Sequence, residues 1–369
     1  MVSWLYPEME LGIVGLPKSG KTTLFNSLTK GRAEIHSFGP TALEPNVGVV
    51  KVPDSRLDGL QAILNPKRIV PAEVKYVDVA ILRENRDDLG SDLRGYLRTV
   101  DAFIHVVRDF ADETIPHIKG SVDPVRDISA LNLELALSDL AIIERRLTRI
   151  NDSLKGAKQQ ERDSFLREQA LLSRIRPALE NEIPIREQSI TQEEARILEN
   201  YQFLTSKPVL VLLNIGEAKL PQAASLEEAL RPRYPQLKVA AVCAKLEMEL
   251  TQLGEADAAE FRAALGMVEG VIDRIIRLSY EVLGLLSFFS IASGEVRAWT
   301  VPKGTPAHKA AGVIHSDMER GFIRAEVIGY SDLVTSGSLR EARNKGHLRL
   351  EGKNYTVQDG DVITFLFSV

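Results

Sequence analysis

A phosphate-binding loop near the N terminus constrains the fold of this chain more than any other feature. Residues Gly15 to Thr22, read as GLPKSGKT, fit the pattern G-x-x-x-x-G-K-[ST] at every required position. An apolar run, Leu11 to Val14, precedes the loop, and Thr23 to Leu28 has the residues of a first helical turn. A strand, this loop and a helix, in that order, form the phosphate-binding unit of an α/β domain.

The residue types in the loop match the chemistry of a phosphate site. Gly15 and Gly20 allow the backbone to turn its N–H groups towards an anion, and the following helix adds its positive end. Lys21 is expected to reach the β- and γ-phosphates, and the hydroxyl of Thr22 is expected to hold Mg²⁺. The phosphate-binding residues predicted from the sequence are Gly15, Pro17, Lys18, Ser19, Gly20, Lys21, Thr22 and Thr23.

Composition narrows the class of protein further. The chain has 369 residues, a formal net charge of −5 and one cysteine, Cys243, so it is long enough for several domains and has no intrachain disulfide. No signal peptide is visible, and the most apolar stretch, Val282 to Ala292, is too short to cross a bilayer. We therefore expect a cytoplasmic protein without a membrane segment.

Hydrophobic periodicity divides the chain into parts. Buried strands at Val74 to Leu82 and Ala102 to Val107, with a helix at Asp92 to Val100 between them, predict a parallel sheet covered by helices. A heptad seam and a second helical run then predict an antiparallel helical hairpin over residues 130–204. Its seven seam positions are Leu133, Ala136, Leu140, Ile143, Leu147, Ile150 and Leu154. A cluster of charged residues at the hairpin tip, Lys155, Lys158 and Arg162, is either solvated or a binding surface.

Sheet patterning returns after the hairpin, at Pro208 to Asn214 and Val239 to Cys243, so the hairpin is an insertion in the nucleotide domain. From Glu295 a strand, a helix at Ala307 to Arg320 and further strands predict a small α+β domain. These last strands are expected at Phe322 to Ile328, His347 to Leu350 and Val362 to Phe367. The resulting division is 1–129 and 205–284 for the nucleotide domain, 130–204 for the insertion and 285–369 for the C-terminal domain.

Sequence blocks along nearly the whole chain resemble the YchF-type Obg-like ATPases, a branch of the translation-factor GTPase class. The matching blocks are Gly12 to Pro17, Glu44 to Asn46, Gly48 to Val50, Asn132 to Leu140, Val242 to Ala244, Val296 to Thr300 and Gly321 to Val327. The resemblance implies a Ras-like P-loop domain, an inserted coiled-coil arm and a C-terminal TGS domain with a β-grasp fold. It also implies association with the ribosome or RNA through the arm and the TGS domain.

The segment that reads the base departs from the GTPase pattern. GTPases of this class use Asn-Lys-x-Asp, whereas this chain has Asn214-Ile215-Gly216-Glu217, so the carboxylate is one methylene further out. That change spoils a bidentate pairing with guanine. The resemblance implies that Cys243 and Ala244 take the place of the Ser-Ala base loop. ATP is therefore the expected nucleotide, with GTP left open, and a simple strand-end turn at Asn214 is the alternative.

The magnesium and switch positions are partly altered. Asp78 fits the carboxylate that supports Mg²⁺, and Thr41 is the substitute for the family threonine, whose place Ala42 occupies. Ile81 stands where the family has a glycine that contacts the γ-phosphate, and a β-branched side chain crowds such an approach. Relatives have Asn at position 18, so the Lys18 ammonium would replace a bound monovalent cation beside the phosphates; a solvated lysine is the alternative.

These observations favour a Mg²⁺-dependent ATPase with slow hydrolysis, in which Lys21 and Lys18 stabilise charge on the transferred phosphoryl group. The altered Ile81 and Ala42 positions favour a different function, a non-catalytic, nucleotide-gated module that binds the ribosome or RNA. A basic stretch in the C-terminal domain either supplies phosphate contacts or is a solvated loop, and comprises Arg340, Arg343, Lys345, His347 and Arg349. The histidines have no metal-ligand spacing, and His105 reads as a core residue of its strand.

Overall fold

The computed structural model describes residues 9–29, 35–36, 46–78, 91–264, 270–292 and 294–368. Strands in these segments are β1 (Glu10–Val14), β2 (Ile35–His36), β3 (Asn46–Lys51), β4 (Arg68–Val70), β5 (Glu73–Asp78), β6 (Ala102–Asp109), β7 (Val209–Ile215), β8 (Lys238–Val242), β9 (Leu285–Ala292), β10 (Glu295–Pro302), β11 (Phe322–Gly329), β12 (Arg349–Glu351) and β13 (Asp361–Phe367).

The helices are α1 (Lys21–Thr29), α2 (Arg56–Leu64), α3 (Ser91–Thr99), α4 (Pro124–Leu154), α5 (Gln159–Glu180), α6 (Gln192–Glu199), α7 (Ala223–Leu230), α8 (Ala244–Leu250), α9 (Glu255–Ala264), α10 (Val271–Val282), α11 (Ala307–Ile314), α12 (Ser316–Arg320), α13 (Tyr330–Ser336) and α14 (Leu339–Asn344). Short 3₁₀ helices lie at Ile185–Glu187, Leu204–Ser206 and Glu217–Gln222. None of the helices in the described part of the chain is both long and apolar enough to span a membrane.

The first sheet carries the nucleotide domain, with seven strands in the order β2-β3-β5-β1-β6-β7-β8. The strands from β5 to β8 in that order pair in parallel, and β2 and β3 form an antiparallel edge. Strand β6 is buried along its whole length because helices cover both faces of the sheet. The carboxyl ends of β1, β5 and β7 therefore meet at one edge, where the loop of a P-loop protein binds its ligand.

The second sheet, in the order β12-β11-β13-β9-β10-β4, belongs mostly to the C-terminal domain. Its edge strand β4 comes from the nucleotide domain and pairs in parallel with β10, with Ile69 opposite Val296. After Pro71 and Ala72 the chain enters β5 in the first sheet. One hydrophobic cluster runs from Leu11 of β1 to Phe289 of β9, so the two sheets share a core. The mixed α/β fold agrees with the sequence-based expectation.

Helix α4 begins the arm, and it starts at Pro124, six residues before the boundary drawn from the sequence. Asp123 caps it by accepting a hydrogen bond from the backbone N–H of Arg126 at 3.1 Å. The expected seam pairs α4 with α5 from Ala136 onward, where Ile143 and Ile150 pack in one cluster with residues of α5.

One seam position was wrong. Leu133 is 42% exposed, because the part of α4 before Ala136 packs on the sheet rather than on α5. Its neighbours Leu131 and Leu135 provide that packing and lie in the cluster that contains Phe103 of β6.

The expected C-terminal helix, Ala307 to Arg320, is divided in the structure. His315 has an extended backbone, with φ −163° and ψ 140°, between α11 and α12. Its Nδ1 accepts a hydrogen bond from the N–H of Asp317 at 3.1 Å, so the histidine caps the second helix. The final strands lie within one or two residues of their expected positions.

Candidate nucleotide-binding site

The loop between β1 and α1 has the backbone that its glycines predict. Gly15 and Gly20 have φ values of +151° and +94°. A Cβ on Gly15 would lie 2.3 Å from the carbonyl oxygen of Val106, and one on Gly20 would lie 2.2 Å from Nδ2 of Asn214. Glycine is therefore required at both positions by close approach as well as by conformation. Lys18 is exposed and has φ +64°, a left-handed conformation that is uncommon for a lysine.

The Lys21 ammonium is held by backbone carbonyl groups of this loop. Its Nζ donates hydrogen bonds to the carbonyl oxygens of Gly15 and Leu16, both at 2.9 Å. Because these acceptors are on the loop itself, the ammonium is held beside the space that the loop encloses. It is positioned to exchange these carbonyl contacts for phosphate oxygens.

The residues predicted to hold magnesium come together. Thr22 Oγ1 donates a hydrogen bond to Oδ2 of Asp78 at 3.0 Å, and Asp78 is fully buried at the end of β5. A threonine hydroxyl and a carboxylate are hard oxygen donors, the type that Mg²⁺ prefers. The described residues contain no group of three or more His, Cys, Asp or Glu side chains suited to a metal. Thr41, Ala42 and Ile81 lie outside the described residues.

Asn214, expected to read the base, has both ends of its amide occupied within the protein. Nδ2 donates to the carbonyl oxygen of Ser19 at 2.9 Å, and Oδ1 accepts from the N–H of Ala244 at 3.1 Å. The buried side chain therefore joins the phosphate loop to the start of α8. The N–H of Ala244, a residue of the expected base loop, donates to this amide in the structure.

Two charged side chains remain exposed at this end of the site. Lys245 Nζ lies 3.7 Å from Oε1 of Glu217, and the two side chains are 74% and 55% exposed. Glu217 is the first residue of the 3₁₀ helix that follows β7. Cys243 is buried behind them, and burial raises the pKa of its thiol. Glu217 is thus the predicted base-reading side chain that stays accessible.

A buried polar side chain lies opposite the residue that precedes the loop, since His105 pairs with Val14. His105 of β6 is 2% exposed, and its Nε2 has no hydrogen-bond partner among the described residues. Burial, with the positive charges of Lys21 and Arg186, lowers the pKa of His105 to about 3, so the ring is neutral. The sequence correctly placed His105 in the core. No sequence pattern indicated that Arg186, in the short 3₁₀ helix after α5, would lie close enough to act on it.

The sheet order, the loop conformation and the Thr22–Asp78 pair define a P-loop nucleotide-binding domain of the GTPase type. A family model described as "50S ribosome-binding GTPase" matches residues 10–145. A second, the YchF-GTPase C-terminal model, described as a protein of unknown function, matches residues 285–368.

Whole-chain relatives give the narrower assignment. The Bacillus subtilis protein named "Ribosome-binding ATPase YchF" is 42% identical over 365 residues, which cover 97% of this chain and 99% of that protein. The Escherichia coli protein of the same name is 39% identical over 362 residues, 97% of this chain and 99% of that one. The chain belongs to the YchF family. The structure of the Schizosaccharomyces pombe YchF GTPase superposes with a TM-score of 0.87 and 32% identity, over 99% of this chain and 100% of that one.

Proposed function

We propose that this protein binds a purine nucleoside triphosphate with Mg²⁺, prefers ATP, and hydrolyses it slowly as part of a ribosome-linked switch. The observation that carries the proposal is that one loop holds both the Thr22–Asp78 pair and the Lys21 ammonium, which bonds the loop carbonyl oxygens of Gly15 and Leu16. Phosphoryl transfer needs mostly positioning and charge stabilisation, and this arrangement supplies a cation and a metal site at one loop. Relatives named as ATPases support the same activity.

The magnesium ion would be held by Thr22 directly and by Asp78 through water, with Thr41 as the additional hydroxyl proposed from the sequence. Bound there, the ion would neutralise charge on the β- and γ-phosphates. Lys21 would supply a second positive charge to the same phosphates. The buried carboxylate of Asp78 is suited to this role because the bound ion would offset the cost of its burial.

Base selection in this proposal depends on Glu217, with Asn214 holding the surrounding loops in place. The longer carboxylate side chain of Glu217 disfavours the paired hydrogen bonds that guanine requires. Its ion pair with Lys245 is exposed, so a base can displace it at little cost. We therefore expect ATP to bind more tightly than GTP.

Lys18 is proposed as a second catalytic cation. The left-handed backbone at this position is unfavourable for residues other than glycine, asparagine or aspartate, and backbone strain of this kind clusters at functional sites. Its side chain is exposed at the loop, where an ammonium would lie beside the transferred phosphoryl group in place of a monovalent cation.

Ribosome association is proposed from the names of the relatives and from basic residues in the arm and in the C-terminal domain. At the arm tip Lys155 pairs with Asp152 at 2.9 Å, and Arg162 donates to the carbonyl oxygen of Leu154. In the C-terminal domain Arg343 contacts Glu326. Because these contacts are exposed, phosphate groups of an RNA could replace them.

The proposed activity is tested by phosphate release from ATP and from GTP with Mg²⁺, with and without ribosomes, alongside direct binding of both nucleotides. Release from ATP above that of a Lys21→Ala variant is the expected result. Phosphate release with no added acceptor also separates this activity from that of a small-molecule kinase.

A second candidate function is a nucleotide-gated binding module without hydrolysis. The isoleucine at position 81 favours it, because the sequence places a bulky residue where a glycine N–H is needed. Tight ATP binding with no phosphate release, even on ribosomes, would support this candidate. In that case Ile81→Gly is expected to raise hydrolysis, and an unchanged rate would remove the crowding argument.

A further inference from the structure

Arg186 occupies an unusual position at the root of the arm. It lies in the short 3₁₀ helix after α5, and its side chain is only 10% exposed. One guanidinium nitrogen, Nη2, donates to Oδ1 of Asn132 in α4 at 3.2 Å and lies 3.8 Å from a carboxylate oxygen of Glu187. The other two, Nε and Nη1, are buried and have no hydrogen-bond partner among the described residues.

Such a guanidinium is costly to bury. A charge removed from water and left with unused donors destabilises the folded state unless an anion compensates it. Glu187 offers only a long contact, and burial lowers the pKa of Arg186 despite that carboxylate. The arm root therefore carries positive charge that the described protein groups compensate only in part.

The buried guanidinium is connected to the nucleotide site through α4 and β6. His105 lies opposite Val14, the last residue of β1 before the phosphate loop, and it shares a face of β6 with Phe103, which packs in one cluster with Leu131 of α4. Arg186 contacts the next residue of α4, Asn132, and the charges of Arg186 and Lys21 both lower the pKa of His105. Phosphates bound at Lys21 would bring negative charge close to these positive groups and reduce the repulsion between them.

We propose that Arg186 is a positioning residue that couples docking of the arm root to the presence of nucleotide phosphates at Lys21, through α4 and the buried His105 of β6. This inference rests on the proposed nucleotide-binding function and names the regulation of that site. An empty loop leaves the Arg186 charge uncompensated and loosens the root, whereas a bound triphosphate tightens it. By reciprocity, Arg186 increases affinity for the triphosphate.

The test replaces the charge with a side chain of similar length, in Arg186→Met. Arg176→Met is the matched control, since Arg176 is an exposed arm arginine paired with Glu180 and Glu144. With AMPPNP and Mg²⁺, Arg186→Met is expected to weaken binding about fivefold or more. The control is expected to stay within about twofold of the unmodified protein, as an exposed ion pair predicts.

Hydrogen exchange separates coupling from simple structural support. In the unmodified protein AMPPNP should slow exchange in peptides that cover residues 127–139 and 183–190. In Arg186→Met the same peptides should be protected already and respond little to nucleotide. A purely structural role would instead give faster exchange with and without AMPPNP, and that result, or unchanged affinity, would overturn the proposal.

Two further measurements keep the outcomes distinct. If the unmodified protein does not bind AMPPNP, the proposed function fails before the coupling is tested. If Arg186→Met does not fold, Arg186→Lys keeps the positive charge and should bind AMPPNP within about twofold of the unmodified protein. Loss of affinity in a folded Arg186→Lys protein would assign the effect to the Asn132 hydrogen bond and contradict a charge-based coupling.

Discussion

The side-chain amide of Asn214 donates a hydrogen bond of 2.9 Å to the carbonyl oxygen of Ser19, which joins the end of β7 to the phosphate loop. Gly20 lies so close to this amide that any side chain on it would collide with Nδ2. The same amide accepts from Ala244 at the start of α8. Asn214 therefore fixes the phosphate loop and the start of α8 in position relative to each other.

Replacement of Asn214 tests this connection. Asn214→Ala removes two buried hydrogen bonds and leaves the carbonyl of Ser19 and the N–H of Ala244 without their partner, so we expect a loss of about 1–3 kcal/mol in stability. Affinity for both ATP and GTP should fall about tenfold, since the loops lose their relative position. Calorimetric binding and thermal unfolding measure the two effects.

The control for that variant is Asn151→Ala. Asn151 is an exposed arm residue whose Oδ1 accepts from Gln169, so its loss should leave nucleotide binding unchanged. Reduced affinity for one nucleotide only in Asn214→Ala would instead assign this side chain to base reading, against the geometry described here.

The buried His105 gives the protein a defined acid sensitivity. Its pKa is lowered to about 3 in the folded protein and is about 6.5 in an unfolded chain. Between these two values the unfolded state binds a proton that the folded state does not. The free energy of unfolding therefore keeps its full value above about pH 6.5 and falls as the pH decreases towards 3. His105→Leu should reduce the slope of unfolding free energy against pH in this window by up to about 1.4 kcal/mol per pH unit.

Urea unfolding at a series of pH values measures that slope. His315→Gln is the control, because His315 is exposed on the surface of the C-terminal domain. An unchanged slope in His105→Leu would show that the ring is charged in the folded protein or unburied, contrary to the structure.

The sequence was sufficient for the parts of the site that local patterns encode. The loop from Gly15 to Thr22 was found because its spacing is fixed by the phosphates it binds. Asp78 was found because it ends an apolar strand of a parallel sheet, where strand ends converge. The arm was found from its heptads, but its first helix starts six residues earlier than expected, and Leu133 was misassigned where the partner of the helix changes.

What the sequence did not predict depends on contacts between distant segments. Strand β4 has only three residues, lies two residues before β5, and was not identified from the sequence. Its pairing with β10, more than two hundred residues later, has no local signal. The double use of Asn214 and the burial of Arg186 are likewise set by packing between elements, which no spacing in the chain records.

Potassium independence is the direct consequence of the role proposed for Lys18. If its ammonium replaces a monovalent cation, phosphate release should be the same in KCl and NaCl at equal ionic strength. Lys18→Asn should then lower the rate about tenfold and create a dependence on potassium. A strong preference for KCl in the unmodified protein would contradict the role, and Lys238→Asn, altered in an exposed ion pair with Glu281, is the control.

Neighbouring phenylalanines on β9 test whether the two sheets act as one body. Phe289 belongs to the core shared with the nucleotide domain, and the guanidinium of Arg56 in α2 lies 5.2 Å from its ring centroid. Phe288 points to the opposite face, into the separate core of the C-terminal domain. Each is fully buried, so truncation of either side chain to alanine should lower the free energy of unfolding by about 3–5 kcal/mol.

The two variants should differ in where the structure loosens. Phe289→Ala is expected to speed hydrogen exchange in α2 as well as in the C-terminal sheet, because it opens a cavity in the core that joins the domains. Phe288→Ala should speed exchange in the C-terminal sheet alone, with α2 as slow as in the unmodified protein. Equal exchange in α2 for both variants would show that β4 and its pairing with β10, rather than the shared core, hold the nucleotide domain to the C-terminal sheet.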